Sequence, residues 1–285
     1  MELNQADIAG KSIAWLDTGN AETGIPLILI HCSSASHKAW RAFIDSLPLD
    51  KFRVLAPDLY GYGKSQKYAS REPYDATVDR QIIKYLRKIA GKPSHLLGHS
   101  YGAAMCMEVL RENPDDYLSA FLIEPVCFHL LEHHQEHLTA WKHIQNVANR
   151  TIRYCNQGRS LKATREYMSY WLGLLAWWLM PWKNKVKFAA SIEKVSAEFA
   201  SMYDFHFKQQ DYAHINTPIS LLYGEKTTRE AKMIIHLLQD ALVNANSACL
   251  EKAGHLCLLT HPQEVNALIH AHLQKIGAET PESST

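Results

Sequence analysis

Residues 94–113 read SHLLGHSYGAAMCMEVLREN: a short apolar segment, a turn bracketed by glycines, then a helical run. The first four residues have the pattern of a buried strand, and the spacing from 101 to 113 predicts a helix. Between them Gly98, Ser100 and Gly102 form G-x-S-x-G. A strand that reverses into a helix within so few residues forces its central serine into strained backbone angles. The positions two before and two after must then be very small. Gly98 and Gly102 meet that demand as the two elbow residues, and Ala103 and Ala104 let the helix lie close to a sheet. Ser100 would stand exposed at the carboxyl end of that sheet, above a helix N-terminus. A serine that merely caps a glycine-rich helix is the plainer alternative.

Outward from this turn, short runs rich in Ile, Leu and Val recur at 26–30, 52–56, 118–123, 219–223 and 248–250. Helical patterns fall between them at 38–45, 77–90, 228–239 and 262–275. Apolar strands alternating with helices predict an α/β fold, a mostly parallel sheet flanked by helices. Segments 6–10 and 12–17 would enter it as an antiparallel pair. Residues 127–213 break the rhythm with helix after helix, which predicts an inserted helical cap. The expected organisation is a core of 1–126 and 214–276, a cap of 127–213, and a disordered tail of 277–285. No repeat or flexible linker separates these parts.

The length of 285 residues suits one large α/β domain with an insertion. Lys+Arg number 30 against 29 Asp+Glu, a formal charge of +1, so nucleic acid is not an expected partner. The first ten residues lack the basic and apolar regions of a secretory signal. The longest apolar run, 172–182, is too short for a stable membrane span. Six cysteines without paired spacing fit free thiols in a reducing compartment, and a cytoplasmic location is expected.

A serine at its ordinary pKa needs a base. His255 follows Gly254 in a small-residue loop just before the last helix, where its ring could turn inward. His261, next to Pro262, suits a helix cap instead. Sixteen histidines make any one of them a weak choice in isolation.

Four segments together resemble the α/β-hydrolase superfamily over about 270 residues: His31-Cys32-Ser33-Ser34, Asp58-Leu59-Tyr60-Gly61-Tyr62-Gly63-Lys64-Ser65, the serine turn, and Gly254-His255. The chain order Ser, acid, His is that family's order and favours His255 as base. The resemblance implies an oxyanion hole from the backbone N–H groups of Ser33 and Tyr101. Cys32 stands where the family usually has glycine. The Asp58 loop is read as structural. The family commonly places its acid four positions into the turn after the post-cap strand, in a G-x-x-D pattern. Here that turn is Gly224-Glu225-Lys226-Thr227, and a threonine cannot hold the charge. Glu225 is one substitute. Glu124, which ends the apolar strand FLIE, is the assigned one, because a carboxylate there is costly to bury unless paired; some superfamily members carry their acid at this earlier strand.

The uncharged stretch 170–182, YWLGLLAWWLMPW, is read as cap core. An apolar wall for an acyl or aromatic substrate is the alternative, and a membrane-docking face is disfavoured because no basic face accompanies it. His129, His133 and His137 fall at i, i+4 and i+8, one face of a helix. They are read as a solvated or packing stripe, with no metal and no organic cofactor expected. The expected activity is serine hydrolysis of a carboxylic ester or thioester, the partner being a small-molecule substrate with a hydrophobic acyl or aromatic group. Carbon–carbon bond hydrolysis or acyl transfer on the same triad remains open, as does a non-catalytic ligand-binding relative. A halide-releasing enzyme would need Asp in place of Ser100.

Overall fold

A computed structural model describes residues 3–69, 74–203 and 205–279. Eight strands, β1 Asn4–Ile8, β2 Lys11–Gly19, β3 Ile25–Ile30, β4 Phe52–Pro57, β5 Ser94–His99, β6 Tyr117–Ile123, β7 Ile219–Gly224 and β8 Ala245–Leu250, form one sheet. Their order is β1-β2-β4-β3-β5-β6-β7-β8. β1 and β2 pair antiparallel and β2 pairs antiparallel with β4, while every pair from β4 to β8 is parallel. This is the α/β-hydrolase fold.

The sheet is covered on both faces, and alternation along each strand decides which face a side chain joins. Ile28, Ile30, Leu96, Ala120 and Leu122 enter one apolar cluster. Leu27, Leu29, Leu97, Phe121 and Ile123 enter the other. The helices are α1 Arg41–Ile44, α2 Thr77–Ala90, α3 Tyr101–Glu112, α4 Leu138–Asn156, α5 Ser160–Leu172, α6 Leu174–Leu179, α7 Trp182–Ala189, α8 Ile192–Met202, α9 Arg229–Ala241, α10 Cys257–Thr260 and α11 Pro262–Glu279. α2, α3 and α9 pack into the first cluster, together with residues from α4, α5 and α8. α1, α10 and α11 pack into the second. The helices between β6 and β7 therefore share one continuous core with the sheet.

Two expectations are corrected. The helix predicted over 38–45 is a 3₁₀ turn, His37–Trp40, followed by the single turn of α1. The last helix runs on to Glu279, past the expected start of a tail at 277, and 280–285 lie outside the described residues. No helix among the described residues is long and apolar enough to cross a membrane. All six cysteines are free.

Histidines inside this sheet are held by hydroxyls. Ser119 on β6 lies 2.7 Å from His95 Nδ1 and 2.7 Å from His272 Nε2, and Ser220 Oγ lies 2.9 Å from His272 Nδ1. The chain pins α11 to β5, β6 and β7. Burial pushes His95, His99 and His272 down to about 4 and His129 down to about 3. These rings stay neutral in the folded protein while the unfolded chain takes up protons below about 6.5. Stability should therefore fall as pH drops below about 6.5 through the window down to about 4. The urea midpoint followed from pH 7 to pH 4 checks this, and a flat midpoint contradicts it.

Candidate active site

Ser100 sits between the end of β5 and the start of α3 with φ +57° and ψ −119°. A non-glycine residue held at positive φ costs about 1–3 kcal/mol and persists only where its surroundings enforce it. Here Ser100 N donates to Ile123 O at 2.8 Å, which ties the turn to β6. A Cβ on Gly98 would lie 2.6 Å from Ala103 Cα, and one on Gly102 would lie 2.4 Å from His31 O. Both contacts are impossible, so the two glycines are steric requirements of the turn.

His255 Nε2 lies 2.9 Å from Ser100 Oγ, and its Nδ1 lies 2.6 Å from Glu124 Oε2. Ser100, Glu124 and His255 are all buried. Glu124 follows β6 with φ +45°, a second strained residue at the same edge of the sheet. Gly224 N donates to its Oε1 at 2.8 Å, and Thr227 Oγ1 donates to its Oε2 at 2.6 Å. Burial raises the pKa of Glu124, but the His255 charge and these hydrogen bonds outweigh it and leave the group below the ordinary carboxylate range. Thr227, at the position where the family's aspartate was expected, thus serves the carboxylate from across the β6–β7 edge. Glu225 is elsewhere. Its Oε2 accepts from Lys252 N at 2.8 Å on the exposed rim of the loop that precedes His255. His99 donates from Nε2 to His255 O at 2.8 Å and so fixes the backbone that carries the imidazole.

The amide of Tyr101 opens α3, where helix N–H groups have no intrahelical acceptor. Ser33 follows β3 and lines the same small cavity as Ser100 and Tyr101. The loop that carries Ser33 is anchored by His31, which donates from Nδ1 to Cys32 O at 2.7 Å and accepts from Leu59 N at Nε2 at 3.0 Å. The Cys32 thiol is buried, and burial pushes it up to about 12, so it behaves as an apolar filler. Asp58 accepts from the backbone N–H groups of His37 and Lys64, in keeping with a loop-holding role.

Two features escaped the sequence reading. Trp171 of α5 stacks face to face on the His255 ring, with centroids 3.4 Å apart and an interplanar angle of 12°. The cavity beside Ser100 has a volume of about 20 Å³, room for a water molecule or two, with Val126, Phe128, Phe199 and Met202 among its apolar walls. Secondly, α8 buries a charge cluster against this cavity. Lys194 Nζ lies 2.8 Å from Glu198 Oε1 and 3.2 Å from Asp79 Oδ2. Glu198 also accepts from Ser33 Oγ at 2.6 Å and Tyr62 OH at 2.8 Å. Tyr74 and Tyr101 donate to Asp79 at 2.6 and 3.0 Å. Burial raises the pKa of Glu198. The signal was present as a Lys–Glu pair at i and i+4 among Val195, Phe199 and Met202, on the apolar face of the helix. Lys194→Met leaves two buried carboxylates without their cation and is expected to cost about 3–5 kcal/mol. Urea unfolding reads that loss, and an unchanged midpoint would show the charges are not energetically coupled.

The stretch 170–182 does not behave as uniform core. Trp171 and Trp177 are buried, whereas Leu174, Leu175, Trp178, Leu179 and Trp182 are exposed. The histidine stripe is also corrected: two 3₁₀ turns, Phe128–His133 and Gln135–His137, replace the single helix face. His129 is buried with Nε2 3.2 Å from Tyr212 OH.

A family model described as "Alpha/beta hydrolase family" matches residues 27–268. The chain is 30% identical over 119 residues to the dihydrolipoyllysine-residue acetyltransferase component of the acetoin cleaving system of Pseudomonas putida, a match covering 42% of this chain and 31% of that protein. The matches to the first curated relatives thus span about a third or less of those proteins' length. Among solved structures, MGS-M2, an alpha/beta hydrolase enzyme from a Medee basin deep-sea metagenome library, superposes with a TM-score of 0.79 at 17% identity, covering 95% of this chain and 97% of that one. A thermophilic esterase from Thermogutta terrifontis gives 0.73 at 20% identity, covering 97% and 99%.

Proposed function

We propose that this chain, which belongs to the alpha/beta hydrolase family, is a serine hydrolase of carboxylic esters or thioesters with a hydrophobic acyl or aromatic group. The observation that carries the reading is the continuous relay from Ser100 Oγ through His255 to Glu124, with contacts of 2.9 and 2.6 Å. His255 takes the proton of Ser100 as the oxygen attacks the substrate carbonyl. Glu124 fixes the tautomer with Nδ1 protonated and stabilises the imidazolium that forms. The N–H groups of Ser33 and Tyr101 receive the oxyanion, each worth about 3 kcal/mol of barrier. His255 returns the proton to the departing alcohol or thiol, and then activates water to cleave the acyl-enzyme. The proton taken from that water passes through His255 to Ser100 as the carboxylic acid leaves, which restores the starting state.

In this proposal residues 127–213 act as a cap over a core of 1–126 and 214–276. The apolar walls contributed by Val126, Phe128, Phe199 and Met202 favour an uncharged acyl group. The six free cysteines suit a reducing compartment and hence the cytoplasm. Glu124 is held ionised below the ordinary carboxylate range, so it meets His255 Nδ1 as a charged acceptor.

The test is kcat/KM over 4-nitrophenyl esters and acyl-CoA thioesters of graded acyl length. Turnover of apolar acyl substrates, abolished by a fluorophosphonate, is the expected result. No turnover across both series, or turnover that the fluorophosphonate leaves unchanged, overturns the reading.

A further inference from the structure

α6 and α7 carry an outward apolar face that the hydrolase chemistry does not use. On α6, Leu174, Leu175, Trp178 and Leu179 fall at i, i+1, i+4 and i+5, one side of a helix, and are 60%, 72%, 67% and 74% exposed. Trp177 points the other way and is buried. On α7, Trp182 and Val186 repeat the i, i+4 spacing and are 64% and 47% exposed. A run of large apolar side chains presented to solvent is not an ordinary monomer surface and marks a contact face.

The expectation that no basic face accompanies the stretch 170–182 is corrected by Lys183, Lys185 and Lys187 of α7, and these charges select the occupant of the face. Lys183, Lys185 and Lys187 alternate with the exposed residues of α7, and no Asp or Glu occurs from 167 to 192. Lys183 and Lys187 lie at i, i+4 next to Trp182 and Val186, and both are exposed. Lys185 reaches back to Trp178 O at 3.3 Å. Glu166, the acid just before the stretch, is engaged by Arg150 at 3.1 Å and Arg165 at 3.0 Å. Tryptophan and leucine bordered by lysine is the composition of a surface that enters the headgroup region of an anionic bilayer. A two-fold contact between copies through the same face would set lysines against lysines, since an isologous interface pairs a patch with itself.

We propose that the α6–α7 face docks this protein on an anionic lipid surface, with Leu175, Trp178, Leu179 and Trp182 entering the interface and the three lysines meeting the headgroups. The docking stands apart from the hydrolase reading and is measured without substrate.

The test is co-sedimentation of the full chain with vesicles of phosphatidylglycerol and phosphatidylcholine in equal parts, and with phosphatidylcholine alone. Binding to the anionic vesicles at least tenfold tighter than to the neutral ones is expected, with a blue shift of tryptophan emission. Trp178→Ser with Trp182→Ser should weaken anionic-vesicle binding at least tenfold. Lys183→Gln with Lys185→Gln and Lys187→Gln should weaken it on the order of 100-fold. Both variants should retain hydrolysis of a water-soluble short ester, so a dead enzyme that binds vesicles and a live enzyme that does not are told apart. Absence of vesicle binding overturns the proposal. So does binding that the tryptophan variant leaves unchanged. A dimer at micromolar concentration that this variant dissociates also overturns it, because the face then belongs to a second copy.

Discussion

Ser100→Ala is expected to lower kcat/KM for an activated ester on the order of 10⁵-fold and to abolish covalent labelling by a fluorophosphonate. The Ser100 side chain contacts His255 Nε2 at 2.9 Å, while the strained turn around it is held by Ser100 N on Ile123 O and by the crowding at Gly98 and Gly102. Alanine keeps that backbone, so the variant should fold and still bind substrate. On the proposed mechanism, what it loses is the atom that would form the acyl-enzyme. In the same proposal the residual rate over water would come from the N–H groups of Ser33 and Tyr101, which the substitution leaves in place. Labelling that persists on another serine would move the nucleophile and with it the whole relay.

Glu124→Gln is expected to reduce kcat on the order of 10⁴-fold, with Glu225→Gln changing it by no more than about twofold. Both oxygens of Glu124 are already acceptors, one for Gly224 N and the other for Thr227 Oγ1 and His255 Nδ1. A carboxamide has a single acceptor oxygen and adds two donors. Wherever it turns, either Gly224 N–H or the pair Thr227 and His255 meets an N–H group. The imidazole then loses both its tautomer lock and its counter-charge. Glu225 accepts only from a backbone amide at the rim of the loop. Steady-state kinetics on one ester ranks the two variants, and the reverse ranking would transfer the acid to Glu225.

Much of this arrangement can be read in the chain because its demands are local. The serine turn tolerates only glycine at 98 and 102, and strands buried on both faces must be apolar, so β3, β5 and β6 stand out. Glu124 is legible because a carboxylate closing FLIE has to find a partner. Thr227 as a hydrogen-bond donor to that carboxylate is not legible, because it depends on how far apart the ends of β6 and β7 lie. Lys194 and Trp171 belong to the same class, since which side of α8 or α5 faces the sheet is settled by packing between helices. The stretch 170–182 misleads for a related reason. α6 is six residues long, and Gly173, with φ +82°, breaks it from α5 and so resets the outward face. The histidine stripe fails because a 3₁₀ turn does not bring i, i+4 and i+8 together.

The indole of Trp171 lies flat on the base, and beside it there is space for little more than water. A substrate that approaches His255 from this side meets that ring first. Uncovering is then a toll common to every substrate, whatever bond is to be cut. On the proposed ester chemistry, helix movement rather than bond making is expected to set the pace for esters whose alcohol departs easily. Across such a series kcat should plateau as the alcohol becomes more acidic, and the plateau height measures how often α5 lifts.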